Sequence, residues 1–342
     1  MRESWLIREQ RREGEREREL ERKRDVYINS DLYPGGEFVP ELDARITVFD
    51  RGYTLGDSVY EYACTFLHEP FQIEEHMDRL FCSLKVLRID PGMDRNRFCG
   101  LCRELTERNL ESLRPEEEYN IVWEVTRGEW GWHARRPPAT EGDGRPTIII
   151  KNNTNPQRLC ALAFHTGVHI VTPPSRHITP QSWDPKVKTY SRLNYVLAAQ
   201  EAALVDPDAV ALMLDKDGNL TEATGANVWL VSGGVLTTPS DRNVLKGQTR
   251  NNVIRLAGEL GIEVQERDLQ PWHLYNCDEA FVSSTSPGPL RPISRFNGLP
   301  VGAGDFPGPI VQKLAAAWSK WVGIDVTGIE LLTTEEKSEL EA

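Results

Sequence analysis

Apolar stretches of strand length come in adjacent pairs along this chain, separated by a few turn residues, and only some of them lead into a helix. SVYEYACTFLHEPFQI sets two strand patterns either side of a turn at His68–Pro70, and AVALMLD, the turn KDGN and VWLVSGGVLTTP repeat the arrangement further on. Antiparallel neighbours can be joined by a tight turn, whereas parallel strands need a long crossover. Between these pairs lie helical patterns such as EEHMDRLFCSLKVLRI, with Met77, Leu80, Leu84 and Leu87 at helical spacing. A chain that mixes hairpins with crossovers does not suit a doubly wound sheet. It suits an α+β architecture with a barrel-like or mixed sheet.

At 342 residues the chain has room for two domains with a core each. A net charge of −12 argues against nucleic acid or an anionic membrane as the main partner, because both attract basic surfaces. No apolar run reaches membrane-spanning length, and the N-terminus lacks the apolar core of a signal peptide. Six scattered cysteines make no disulfide framework, so reduced thiols and a cytoplasmic home are expected. Cys99 and Cys102 form one CxxC inside the helical pattern RFCGLCRELTERNL, where they read as two small apolar side chains.

The pattern divides the chain into five stretches. Residues 1–25 alternate Glu and Arg at helix-supporting spacing with almost no apolar stripe, as in a helical or mobile extension. Residues 26–153 form a small α+β domain, 154–185 a crossing between domains, 186–330 a larger domain and 331–342 a tail. The crossing includes ALAFHTGVHIVTPP, read as a strand that puts His165 and His169 on one face; no metal site is expected there.

Five features carry chemistry. Lys188 precedes an apolar helix pattern with Leu193, Val196, Leu197 and Ala198. A lysine at the mouth of a buried helix is desolvated, which frees the amine for bonding to a carbonyl, although a solvated lysine is the ordinary alternative. Glu222, in DGNLTEATGANVWLV, would keep a pyridine nitrogen protonated and make the ring an electron sink; an exposed turn glutamate is the other reading. In LKGQTRNNVIRLAGEL, Gly247 permits close approach, and Gln248 and Thr249 open a helix whose first amides suit a phosphate. Thr249 would equally serve as a helix cap. Hydroxyls at Ser283, Ser284, Thr285 and Ser286 end a strand and suit a phosphate or a turn. Arg79, in EHMDRLFCS, could clamp a phosphate or lie solvated on its helix.

With FDRGYTLGDSVYE, EEHMDRL, DPKVKT ahead of a helix ending VLAAQEA, GNLTEATGANVW, LKGQTR and FVSSTS in this order, the sequence resembles the fold-type IV pyridoxal-phosphate enzymes. That group holds branched-chain, D-amino-acid and (R)-amine transaminases and the aminodeoxychorismate lyases, and the resemblance runs from about Val26 to Val326. It implies a D-amino-acid-aminotransferase-like fold, with a small α/β N-terminal domain and a larger domain built on a barrel-like mixed sheet. It implies pyridoxal 5′-phosphate, with Lys188 as the Schiff-base lysine and Glu222 against the pyridine nitrogen. Arg79, Gln248, Thr249 and Thr285 are then phosphate contacts, Leu245 packs on the ring face, and Tyr60 lies on the substrate side. It also implies a homodimer.

Donor class is read from departures. Leu193 stands five residues after the lysine, as in the D-amino-acid group, where the branched-chain members carry tyrosine. The loop VTRGEWGWHARRPPA has no Arg-x-His to hold a substrate carboxylate; His133, Arg135 and Arg136 are substitutes there, and Trp130 and Trp132 are an apolar pocket wall or interface residues. RPISRFNGLPVGAGDFPGPI is similar to the (R)-amine transaminases, while TSPGPL departs from their usual turn. The expectation is a transaminase taking D-amino acids or (R)-amines with a 2-keto acid acceptor, with branched-chain L-amino acids as a further donor class. The alternatives are a lyase of the aminodeoxychorismate type and a cofactor-binding scaffold without activity.

Overall fold

The structure, a computed structural model, describes residues 24–129, 145–155, 157–286, 288–302 and 306–341. The chain forms two compact units: Met1–Asn155 with Val187–Ser191, and Pro156–Lys186 with Arg192–Ala342. Among the described residues no helix is long and apolar enough to cross a membrane.

The first unit is an antiparallel six-stranded sheet. Its strands are β1 (Asp25–Asn29), β2 (Glu37–Pro40), β3 (Ser58–Phe66), β4 (Glu69–Pro70), β5 (Tyr119–Thr126) and β6 (Ile148–Thr154), in the order β2-β1-β6-β5-β3-β4. A short helix α1 (Arg51–Leu55) precedes β3, started by the Asp50 carboxylate, which accepts from the Gly52 N–H. Two longer helices, α2 (Ile73–Leu87) and α3 (Arg95–Asn109), supply the core. Ile73, Met77, Leu80 and Leu84 recur at helical spacing on α2 and pack with Phe98, Leu101, Cys102 and Leu105 of α3. Against them lie Val59, Ala63, Ile121, Trp123, Val125, Ile148 and Ile150 from the strands. Cys99 and Cys102 are both buried in this layer as small apolar side chains, and burial pushes both thiols up.

The second unit contains α4 (Gln157–Thr166), β7 (Val168–Val171), α5 (Leu193–Ala203), β8 (Val210–Leu214), β9 (Leu220–Ala223), β10 (Ala226–Ser232) and β11 (Val235–Thr238). There follow α6 (Gln248–Glu259), β12 (Val264–Glu266), α7 (Pro271–Tyr275), β13 (Glu279–Ser283), β14 (Leu290–Phe296), β15 (Leu299–Pro300), α8 (Pro309–Val322) and α9 (Thr334–Glu341). Six strands close on themselves in the order β10-β13-β14-β7-β8-β9 and back to β10, with β11 and β12 extending from β10 and β15 from β14. Pairing is parallel at β14–β7 and β7–β8 and antiparallel elsewhere in the ring. The α+β class and the barrel-like mixed sheet expected from the sequence are what the chain forms. Ile170, Leu212, Leu220, Val228, Val282, Ile293 and Phe296 belong to its main core.

Several elements differ from the sequence reading. Residues 154–185, expected as a crossing, carry α4 and then β7, which is a strand of the closed ring. ALAFHTGVHIV is therefore a helix followed by a strand, broken at Gly167 with φ +77°, where a side chain would strike Phe306 and Ser294. His165 and His169 consequently sit on different elements; His169 pairs with Asp206 at 2.7 Å. The helix after Lys188 buries only Ala198 and Ala202, against Val171, Ala211 and Met213, and leaves Leu193, Val196 and Leu197 exposed. The C-terminal tail is an ordered helix, tied by the Glu336 carboxylate to Arg158 at 2.6 Å.

Candidate active site

In the first unit the chemistry gathers on β3. Val59, Glu61 and Ala63 alternate toward the helices, so Glu61 stands wholly buried in an apolar layer and needs partners. They come from α2, where His76 and Arg79 lie three residues apart on one face. Arg79 donates from Nε to Glu61 Oε2 at 2.8 Å and from Nη2 to Oε1 at 2.6 Å, and His76 Nδ1 lies 3.1 Å from Oε1. Burial alone would raise the Glu61 pKa, but the Arg79 charge and hydrogen bonds, with His76 assisting, hold it far below the usual carboxylate range. Burial pushes His76 down, against the pull of Glu61. Arg79 thus has one guanidinium edge committed to Glu61.

Segment Val187–Ser191 is laid along β3. Thr189 bridges to Val59, Tyr60 N–H donates to the Lys188 carbonyl at 3.0 Å, and Thr189 Oγ1 donates to the Ser58 carbonyl at 2.7 Å. Lys188 N–H donates to Ser83 Oγ on α2 at 3.3 Å. With its backbone held at three points, half-buried Lys188 sets its Nζ 4.3 Å from the Tyr60 ring centroid. Tyr190 stacks on the same ring at 4.1 Å and 16°.

In the second unit a two-residue turn, Thr224–Gly225, joins β9 to β10 and puts Glu222 opposite Asn227. Glu222 is 6% exposed, buried rather than on an open turn. Its Oε1 faces the Tyr195 hydroxyl at 3.0 Å and His177 Nε2 at 3.3 Å. Its Oε2 accepts from Leu245 N–H at 2.9 Å and Asn227 Nδ2 at 3.2 Å. Burial would raise its pKa; the His177 hydrogen bond and charge, the Leu245 amide and the Tyr195 hydroxyl outweigh it and keep the group lowered, a carboxylate at neutral pH. His177 Nδ1 lies 2.9 Å from the Ile178 carbonyl, which only accepts, so that nitrogen bears a hydrogen. The Tyr195 hydroxyl lies between His177 Nε2, at 2.8 Å, and Glu222, and Arg192 covers its ring at 4.2 Å.

The start of α6 is three residues beyond Leu245. Gly247 is its N-cap and gives no side-chain cap; a Cβ there would lie 2.2 Å from Asn227 Oδ1. Thr249 is the second helical residue rather than the cap, and its Oγ1 lies 3.4 Å from Thr285 Oγ1. The other hydroxyls at the end of β13 have separate partners. Ser283 accepts from Trp229 Nε1 at 2.9 Å, Ser284 from Arg291 Nη2 at 3.4 Å, and Ser286 donates to the Gly288 carbonyl at 2.8 Å. Gln248 and Leu245 are half-buried at the same loop.

The second unit therefore holds a cradle for a phosphate at the start of α6 and, bonded to the loop before it, a carboxylate kept ionised. A helix N-terminus without a side-chain cap beside two converging hydroxyls suits a phosphate dianion, and a buried carboxylate suits a protonated ring nitrogen. These residues fit a phosphorylated pyridine ring. Glu61, His76, His177, Tyr195 and Asn227 were not found by sequence reasoning; Glu61, a lone carboxylate inside VYEYAC, was the one with a visible signal. Trp130, His133 and Arg135 lie outside the described residues.

Comparison with known proteins agrees with this chemistry. The model of the amino-transferase class IV family matches residues 58–296. A Methanocaldococcus jannaschii protein, provisionally named a branched-chain-amino-acid aminotransferase, is 34% identical over 299 residues, covering 85% of this chain and 97% of its own. A Staphylococcus aureus D-alanine aminotransferase is 28% identical over 291 residues, covering 84% and 96%. The Escherichia coli branched-chain amino acid aminotransferase structure superposes with a TM-score of 0.77 at 27% identity, covering 89% and 95%. The chain belongs to the class IV amino-transferase family and is a pyridoxal-phosphate-dependent aminotransferase.

Proposed function

We propose that this enzyme moves the amino group of an apolar amino acid to a 2-keto acid, with branched-chain L-amino acids as the leading donors. The observation that carries the amino-transfer reading is Glu222: a buried carboxylate on β9, kept ionised by its neighbours and bonded to the amide of Leu245, on the loop that leads into α6. Its donor assignment is supported by the branched-chain names of the relatives in sequence and structure. A second reading, D-amino acids or (R)-amines, is favoured by Leu193 five residues after the lysine and by the D-alanine relative.

The cofactor, when bound, supplies an aldehyde carbon for the amine and a ring that takes up electrons. Glu222 holds the proton on the ring nitrogen. Thr249, Thr285, Gln248 and the first amides of α6 hold the phosphate, with Leu245 against the ring face. Lys188 would hold the cofactor's aldehyde through Nζ, and as a free amine it would be the base that takes the proton from the donor's α-carbon. Tyr60 orients Lys188 through its ring face. Arg79, bound along one edge to Glu61, is the further phosphate contact that the resemblance implies.

We also read the enzyme as a cytoplasmic homodimer, on six cysteines that form no disulfide and on apolar side chains left exposed in each unit: Val48, Phe49 and Tyr53 in the first, Leu193 and Val196 in the second. Half-reaction spectra of the cofactor-loaded enzyme with L-leucine, D-alanine and (R)-1-phenylethylamine test the function. L-leucine is expected to give the fastest change in cofactor absorbance, and turnover to require a 2-keto acid. No change with any donor removes the amino-transfer reading, and turnover without an acceptor supports the lyase instead.

A further inference from the structure

Arg291 is a cation that none of the preceding chemistry uses. It stands opposite Val282 in the β13–β14 pairing, and directly opposite residues share a face of a sheet. Val282 and, two residues along β14, Ile293 both belong to the core of the ring, so Arg291 points to the inner side. Its Nε is sealed from solvent with no hydrogen-bond partner, and the bond from Nη2 to Ser284 Oγ is long, at 3.4 Å. Among the described residues no carboxylate pairs with it. Burial pushes its pKa down, and the Cys160 thiol nearby is the only ionisable group offsetting this. A half-buried guanidinium whose Nε is sealed from water and meets no anion costs stability unless a ligand completes it. Its bonded neighbour Ser284 is one residue from Thr285, whose hydroxyl meets Thr249 in the cradle.

We propose that Arg291 binds the carboxylate of the amino-acid and keto-acid substrates, an inference that rests on the amino-transfer reading above. The phosphate already has the α6 N-terminus with Thr249 and Thr285, whereas a planar carboxylate matches two parallel guanidinium N–H groups. The turn before Arg291, TSPGPL, departs from the usual turn of the (R)-amine transaminases, and the Gly288 within it packs so closely that a Cβ would lie 2.6 Å from Cys160 Cβ. That contact fixes α4 against the hairpin and with it the place of the guanidinium.

The test compares wild type, Arg291→Met and Arg291→Lys, all cofactor-loaded, in half-reactions with L-leucine, D-alanine and (R)-1-phenylethylamine, together with cofactor affinity and Tm. Arg291→Met is expected to raise the dissociation constant of the reactive amino acid at least tenfold. The carboxylate-free amine and the cofactor should bind as before, and Tm should hold or rise because an unpaired buried charge has gone. Arg291→Lys keeps the charge but not the fork, and falls between. Equal weakening of amino acid and amine, or a Tm lowered by several degrees, marks a structural arginine and overturns the proposal. Weaker cofactor with unchanged amino-acid binding assigns Arg291 to the phosphate and also overturns it, as does a wild type that reacts with the amine alone. A wild type that reacts with no donor is a different failure, that of the amino-transfer reading itself.

Discussion

Glu222 faces four donors from four separate stretches of chain: Tyr195, His177, Asn227 and the Leu245 amide. Its place in a turn-rich motif was legible in the sequence, but its burial was not, because His177 and Tyr195 come from 45 and 27 residues away with no local pattern to mark them. His177→Phe removes a hydrogen bond and a charge that lower the Glu222 pKa. The pKa should therefore rise, and the acid limb of the kcat/KM profile should move to higher pH; an unmoved limb removes His177 from the network. For Lys188, whose Nζ lies over Tyr60, the expectation is all or none. Lys188→Ala should give no borohydride-stable adduct with the cofactor, and an adduct at another lysine would end its assignment.

At the scale of elements, apolar spacing identified α2 and α3 because their buried faces repeat every three or four residues, as Ile73, Met77, Leu80 and Leu84 show. Leu80→Ala should cost about 2–5 kcal/mol of stability by leaving a cavity in that layer; chemical denaturation measures it. β14 escaped the sequence reading, since Arg291, Pro292 and Ser294 break any apolar alternation, yet it pairs antiparallel with β13 and parallel with β7. α4 was taken for strand because AFHTGVHIV is apolar throughout and Gly167 hides the boundary. The α6 start was read from its sequence, and Gly247 shows what it depends on. Gly247→Ala would push Asn227 off both Glu222 and the Leu245 carbonyl. The cofactor dissociation constant should rise at least tenfold with the near-UV circular dichroism unchanged; unchanged affinity would count against the cradle.

Across the whole molecule the buried ionisable groups limit stability at both ends of the pH range. Glu61 and Glu222 have lowered pKa values in the fold, so the stability they add is present above the unfolded carboxylate value and is lost as pH falls through the folded one. His76, also lowered, is buried neutral and loses its share as pH falls below the ordinary 6.5. At the alkaline end Cys277 is pushed up to about 12, and its unfolded thiol ionises first, near 9, so stability declines again there. Thermal melts should thus show Tm falling from pH 6.5 downward, more steeply below 4.5; a flat profile would contradict the burial of these three groups. Neither the two-unit division nor the exposed apolar faces follow from composition, because both depend on which side of each element the chain covers. Phe49→Glu, on one such face, tests the proposed homodimer: the sedimenting species should shift from dimer to monomer, and a wild type that sediments as a monomer overturns it.

The five residues Val187–Ser191 are edged along a sheet built from the first 155 residues, although the chain on both sides of them belongs to the other unit. The polypeptide therefore passes between its two halves three times, and no single cut divides it into complete parts. A fragment ending at Asn155 keeps Tyr60 but has no amine to set over it. The complementary fragment carries the amine on an unpaired tether. Neither piece should trap the aldehyde on its own, and mixing the two should restore capture only as fast as that short ribbon threads back beside Val59.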